Sequence, residues 1–182
     1  MKQRILYLLK FYLLTVLIFI VAKVVFMVCN AGNHPFALSD LFDVIWNGLS
    51  LDFSTSLYLI IVPFLLTMVS VWWQGRVLLN ILRIYYLVIA FALALAFVSD
   101  TSLYPFWGFK LDASIFLYLD SPKEAMASVS VGFILLRLLV MVLLTGGIAW
   151  LMMKITPREL ETVKNKMIGT LGMLLLGGVL FV

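Results

Sequence analysis

Three charged residues stand where charge is expensive. Lys23, Asp52 and Arg137 each interrupt or border a long apolar run in a chain of 182 residues that is 64% hydrophobic and 12% charged. One acid and two bases can form an ion pair and leave one cation over. A spare cation in such a setting could hold the phosphate of an anionic lipid through charge-assisted hydrogen bonds. Arg137 is the sharpest case. Counted from a helix start near Val129 it is eight residues in, about 12 Å deep. A charge in a membrane span costs on the order of 2.5 kcal/mol or more unless relieved, so Arg137 must snorkel, pair or face a polar cavity. Lys10 and Lys23 lie near opposite ends of the first run, where long stems can carry their ammonium groups to the nearest interface. Asp52 opens the second run, where an acid also suits the helix dipole. The expectation is that Lys23, Asp52 and Arg137 converge in one half of a bundle, with Asp52 paired to one cation. Lys110 joins these three as a candidate for lipid-headgroup binding.

No other constellation carries chemistry. There is no Gly-rich phosphate loop, no Cys/His metal spacing and no serine–histidine pairing with an orienter. The single histidine, His34, rules out a histidine-rich metal cluster, and the single cysteine, Cys29, rules out an internal disulfide. No catalytic residue, metal ligand or cofactor site is therefore assigned to this chain.

The elements that must position the three charges are membrane helices. Soluble domains are about 45–50% apolar and about 25% charged; this composition needs lipid as its solvent. Hydrophobic runs place spans at residues 5–28, 51–73, 79–98, 129–153 and 167–182, an all-α polytopic bundle of about five transmembrane helices. The first run follows Lys2 and Arg4 and is too long for a signal-peptide core; Val28 also gives Cys29 the wrong neighbour for lipoprotein processing. Residues 39–50 read as a short amphipathic interfacial helix, with Leu41, Ile45 and Leu49 on one face. Pro63 lies inside the second span and removes a backbone donor. Trp72 and Trp73 mark its far interface, and 74–76 form a tight turn. The stretch 99–128 reads as a segment lying on the membrane surface, with Tyr104, Phe106, Trp107 and Phe109 as interfacial anchors or as a surface that presents headgroups. Gly146, Gly147, Gly169, Gly172, Gly177 and Gly178 fall in apolar runs and suggest close helix packing. The last run has 16 residues, about 24 Å of helix against a hydrocarbon core of about 30 Å, which suggests a chain cut inside its fifth helix.

The net charge is +4. Its basic residues lie between the runs, which favours an orientation signal over nucleic-acid binding. With the N-terminus inside, nine basic residues are internal: Lys2, Arg4, Lys10, Arg76, Arg83, Lys154, Arg158, Lys164 and Lys166. Three are external, Lys23, Lys110 and Lys123, among the acids Asp40, Asp43, Asp52, Asp100, Asp112, Asp120 and Glu124. This is a positive-inside bias, and it sends the fifth helix outward.

Three segments carry a family resemblance. Gly48-Leu49-Ser50-Leu51-Asp52-Phe53-Ser54, entering a span, is similar to a motif of the lipoteichoic acid synthase-like family. So is Asp100-Thr101-Ser102-Leu103-Tyr104-Pro105-Phe106-Trp107-Gly108-Phe109-Lys110-Leu111-Asp112, and Ser121-Pro122-Lys123-Glu124-Ala125-Met126-Ala127-Ser128 adds to it. The resemblance runs from the basic N-terminus to the fifth helix. It implies five helices followed by an extracytoplasmic catalytic domain of the alkaline phosphatase/sulfatase superfamily, with a threonine nucleophile and a divalent metal, typically manganese. Such enzymes move phosphoglycerol or a related headgroup from a phospholipid to an acceptor. None of that machinery maps onto these residues. The resemblance thus implies the membrane anchor, and a possible lipid platform, of a transferase in the bacterial cytoplasmic membrane. Its partners would be membrane lipids, anionic phospholipid among them, and its own C-terminal domain. The other readings are a self-contained small transporter or scaffold, and an enzyme working within the bundle. The first needs polar residues along a path, which the runs lack; the second has only Asp52 with Lys23 or Arg137 to offer.

Overall fold

The computed structural model describes residues 1–32, 36–73, 75–108, 130–157, 163 and 165–181, without the side chains of 106, 107 and 181. The described residues form five helices and no strand: α1 (Lys2–Asn30), α2 (Leu38–Val69), α3 (Arg76–Trp107), α4 (Val131–Ile155) and α5 (Lys166–Phe181). The first four are long and apolar enough to cross a membrane, and α5 is a shorter apolar helix. The chain is a helical membrane protein, the class its composition requires.

Local signals set the helix ends. Asp40 in the first turn of α2 reaches back to the Ala37 amide, with Oδ2 accepting at 2.9 Å; this satisfies one donor that helix geometry leaves free. Ser130 caps α4, its hydroxyl accepting from the Phe133 amide. Gly108 closes α3 at φ 72°, a left-handed position that glycine takes without a Cβ clash.

Two expected boundaries change. The helix expected at 39–50 and the span expected at 51–73 are one continuous helix, α2. Polar residues such as Asp43 and Asn47 break the apolar run without breaking the backbone ladder. Likewise α3 does not stop at Val98 but continues through Pro105 to Trp107. Tyr104, Phe106 and Trp107 therefore sit on the end of a long helix, whereas the sequence suggested a surface segment. The rest of that segment lies outside the described residues.

The helices alternate in direction. At one end, Arg4 of α1 donates to Ser70, the residue that ends α2. Tyr7 of α1, Tyr86 of α3 and Thr156, the residue after α4, join through their hydroxyls. Gly169 near the start of α5 faces Val71 and Met1. This end carries Lys2, Arg4, Arg76, Arg83, Lys154 and Lys166 and is here called the basic end. At the opposite, acidic end, Lys23 of α1 meets Asp52 of α2, and the ring of Phe26 meets Tyr104 of α3 edge-on at 4.9 Å.

The core is thin and lies toward the basic end, around Tyr7, Leu8, Phe11, Ile60, Phe64, Leu82, Tyr86, Ala90 and Met152. Outside it, large apolar side chains face outward. Leu9, Leu13, Leu17, Val21 and Val25 form an exposed stripe along α1 at i, i+4 spacing. In water this patch would far exceed the few hundred Å² a monomer tolerates; in lipid it is ordinary surface.

The glycines divide. A Cβ on Gly177 would come 2.8 Å from the Phe64 ring, and one on Gly169 within 3.1 Å of Val71, so these two do let α5 approach α2. Among the described residues, Gly172 meets only the Met1 side chain at 3.4 Å, an ordinary distance, and Gly146, Gly147 and Gly178 meet nothing within 4 Å. Among those residues, these four glycines thus make no close helix contact. Pro63 is also accommodated specifically. It removes the amide that would bond the Leu59 carbonyl, and the Tyr85 hydroxyl of α3 donates to that oxygen at 2.6 Å.

Candidate functional site

The Lys23 ammonium donates to Asp52 Oδ2 at 2.6 Å. The side chains retain 17% and 5% of their exposure. Lys23 does not snorkel outward, and the reason is geometric. Side chains on a helix lean toward its N-terminus. For α1 that direction is the basic end, so the Lys23 stem leans back into the bundle toward α2. Gly48, one turn before Asp52, makes the room: a Cβ there would stand 2.1 Å from Lys23 Nζ and 2.8 Å from Cε. Of the two cations expected to compete for Asp52, Lys23 is therefore its partner.

Arg137 has a different environment. Its guanidinium carbon lies 4.9 Å from the centre of the Phe133 ring, one turn earlier on α4. Its Nε is buried without a hydrogen-bond partner. The same lean that turns Lys23 inward carries Arg137 toward the acidic end, because α4 runs the other way. Asp52 lies 18 residues before Ser70 and Arg137 18 residues before Ile155, which places both helix positions about 27 Å from the basic end. With the basic end at one boundary of a hydrocarbon core of about 30 Å, that would be just inside the other boundary. The three charges thus share one level, but only two of them are paired. Lys110 lies outside the described residues.

The interfacial aromatics separate similarly. Trp72 follows α2 at the basic end, where its indole donates to Thr170 of α5 at 2.8 Å and carries Lys166 over its ring at 5.7 Å. Trp73 is exposed beside it. Tyr104 packs on Phe26 at the acidic end. Phe106 and Trp107 have only their backbone described, on α3, and Phe109 lies outside the described residues.

Arg4 has a role that charge counting does not reveal. It is fully buried, donating from Nε to Ser70 Oγ at 3.1 Å and from a terminal nitrogen to the Ser70 carbonyl at 3.2 Å. It satisfies the C-terminal end of α2, where carbonyls lack helical partners and a cation suits the dipole. The hydroxyl chain Tyr7–Tyr86–Thr156 is equally invisible in the sequence, because its members lie on α1, on α3 and just after α4. Among the described residues no three His, Cys, Asp or Glu side chains gather as they would around a divalent metal; the resemblance places its manganese in the further domain.

Comparison with known proteins finds no matching family model, no matching curated protein and no matching solved structure.

Proposed function

We propose that this chain is the membrane domain of a phospholipid-headgroup transferase of the lipoteichoic acid synthase-like kind, set in a bacterial cytoplasmic membrane with its basic end inside. One observation supports this reading above the others. Two of the three segments that carry the resemblance, on α2 and on the end of α3, meet the same turn of α1: Lys23 bonds Asp52 and Phe26 packs on Tyr104. Residues i and i+3 share a helix face, so α1 ties both motifs into one patch at the acidic end. A patch built there suits a domain that receives lipid headgroups from the outer leaflet. The fifth helix starts at the basic end and runs toward that same side. The threonine nucleophile and the manganese site would belong to that further domain, and the present residues would anchor it and supply the lipid-facing rim.

The test is the coding sequence beyond the Val182 codon together with an assay of the whole product. The expected result is a sulfatase-like domain with its metal-binding pattern, and membranes that release diacylglycerol from phosphatidylglycerol in the presence of manganese. A stop codon directly after Val182 would overturn the proposal.

A further inference from the structure

The acidic-end charges differ in what they leave unsatisfied. Lys23 and Asp52 neutralise each other, and a Lys–Asp pair this short has little to offer a third charge. Arg137 has no carboxylate within ion-pair distance among the described residues, and its Nε is buried without a partner. It also lies on the helix least covered by protein. The buried residues of α4 are Ile148, Ala149 and Met152, all toward the basic end. Around Arg137, Leu135, Leu136, Leu138 and Leu139 are exposed, the surroundings of acyl chains. Phe133 fixes the direction of the guanidinium, holding it one turn, about 6 Å, nearer the boundary than the Arg137 backbone. With the basic end at the opposite boundary, that would bring a planar, permanently charged fork from just inside the hydrocarbon toward the lipid phosphates.

We infer that Arg137, backed by the Phe133 ring, is a docking site for the phosphate of a membrane phospholipid in the leaflet at the acidic end, and that Lys23 and Asp52 take no part in it. The bound group is a phosphodiester monoanion, gripped by the two terminal nitrogens, since Nε is buried, through parallel N–H donors as guanidinium–phosphate pairs are. Its acyl chains lie along the exposed leucines of α4. The apolar face distinguishes this occupant from soluble phosphate, which has the same chemistry at the fork but gains nothing from leucines. The inference rests on the membrane reading alone and stands whether or not a transferase domain follows.

The test is native mass spectrometry of the purified chain, released from micelles holding a graded amount of phosphatidylglycerol, or of diacylglycerol with the same chains. The wild-type chain is expected to retain one phosphatidylglycerol and to discriminate against diacylglycerol by about 10- to 100-fold, the worth of a charge-assisted bond. Arg137→Gln should lose that discrimination. Arg137→Lys should keep part of it, since the charge stays and the fork is lost. The double variant Lys23→Gln/Asp52→Asn should keep all of it. Equal retention of both lipids by the wild type would overturn the site without requiring any variant to fold. So would unchanged discrimination in Arg137→Gln, or its loss in the double variant. Displacement of the retained lipid by millimolar inorganic phosphate would assign the fork to a soluble anion and overturn the lipid assignment.

Discussion

Gly48 decides whether Lys23 can reach Asp52, and this gives the ion pair a sharp signature. Replacing a helix-interior glycine by alanine ordinarily stabilises by about 0.5–1 kcal/mol. At position 48 the added Cβ would meet the Lys23 ammonium at 2.1 Å, so the lysine must shift from its present position beside Asp52. Gly48→Ala is therefore expected to destabilise the wild-type chain and to stabilise the Lys23→Ala/Asp52→Asn background, a reversal of sign read from unfolding in micelles. A destabilisation of the same size in both would show that the space at Gly48 serves something other than the pair. Removing one partner strands a charge that is mostly buried. Asp52→Asn alone should cost up to about 3–5 kcal/mol, discounted for the remaining access of Lys23 to the interface, and Lys23→Met/Asp52→Leu far less. The residue types were readable in the sequence, and so was their shared level. What composition does not supply is the direction of each stem. That follows from the lean of side chains toward the helix start, which turns Lys23 inward on α1 and Arg137 outward on the oppositely running α4.

Between helices, the clearest device is the bond from Tyr85 of α3 to the Leu59 carbonyl of α2. In lipid no water can take the place of the amide that Pro63 lacks. Tyr85→Phe would leave that carbonyl unsatisfied, at about 1–3 kcal/mol. In a Pro63→Ala background the backbone amide returns and the same substitution should cost markedly less. A double-mutant cycle in micelles measures the difference, and additive effects would show that Tyr85 does not serve the proline gap. The sequence displays Pro63 as an interruption but cannot show which neighbour repairs it, because Tyr85 lies 26 residues away on another helix. It also misplaces the ends of α2 and α3 for a reason that is physical. Hydropathy marks where a helix leaves the hydrocarbon, and helices continue beyond that point. Both α2 and α3 are 32 residues long, about 48 Å, and exceed a core of about 30 Å by several turns. If Arg4 and the Tyr7–Tyr86–Thr156 hydroxyls pin the helices near the basic boundary, that excess projects from the acidic end.

At the scale of the whole bundle, the arrangement of ends converts a charge count into a direct measurement. The basic end gathers the starts of α1, α3 and α5 with the ends of α2 and α4, so a single accessible residue fixes the orientation of every helix. Cys29 is that residue: it is the sole cysteine of the chain and lies exposed in the last turn of α1, at the acidic end. The positive-inside argument places it outside the cytoplasm, although Arg4, one of the residues counted, is a buried helix-end partner and not a loop charge. Removing Arg4 from the count still leaves most basic residues at the same end, so the argument does not depend on it. A membrane-impermeant maleimide is expected to label Cys29 in cells whose cytoplasmic membrane is intact and accessible to it. A Lys2→Cys/Cys29→Ser chain, with its cysteine at the other end of the same helix, should label only after permeabilisation. The reverse pattern would turn the bundle over, send the fifth helix toward the cytoplasm, and put the Arg137 fork in the inner leaflet. The lipid-retention experiment would be unaffected by that outcome, since it reads the fork and not the side of the membrane on which the fork lies.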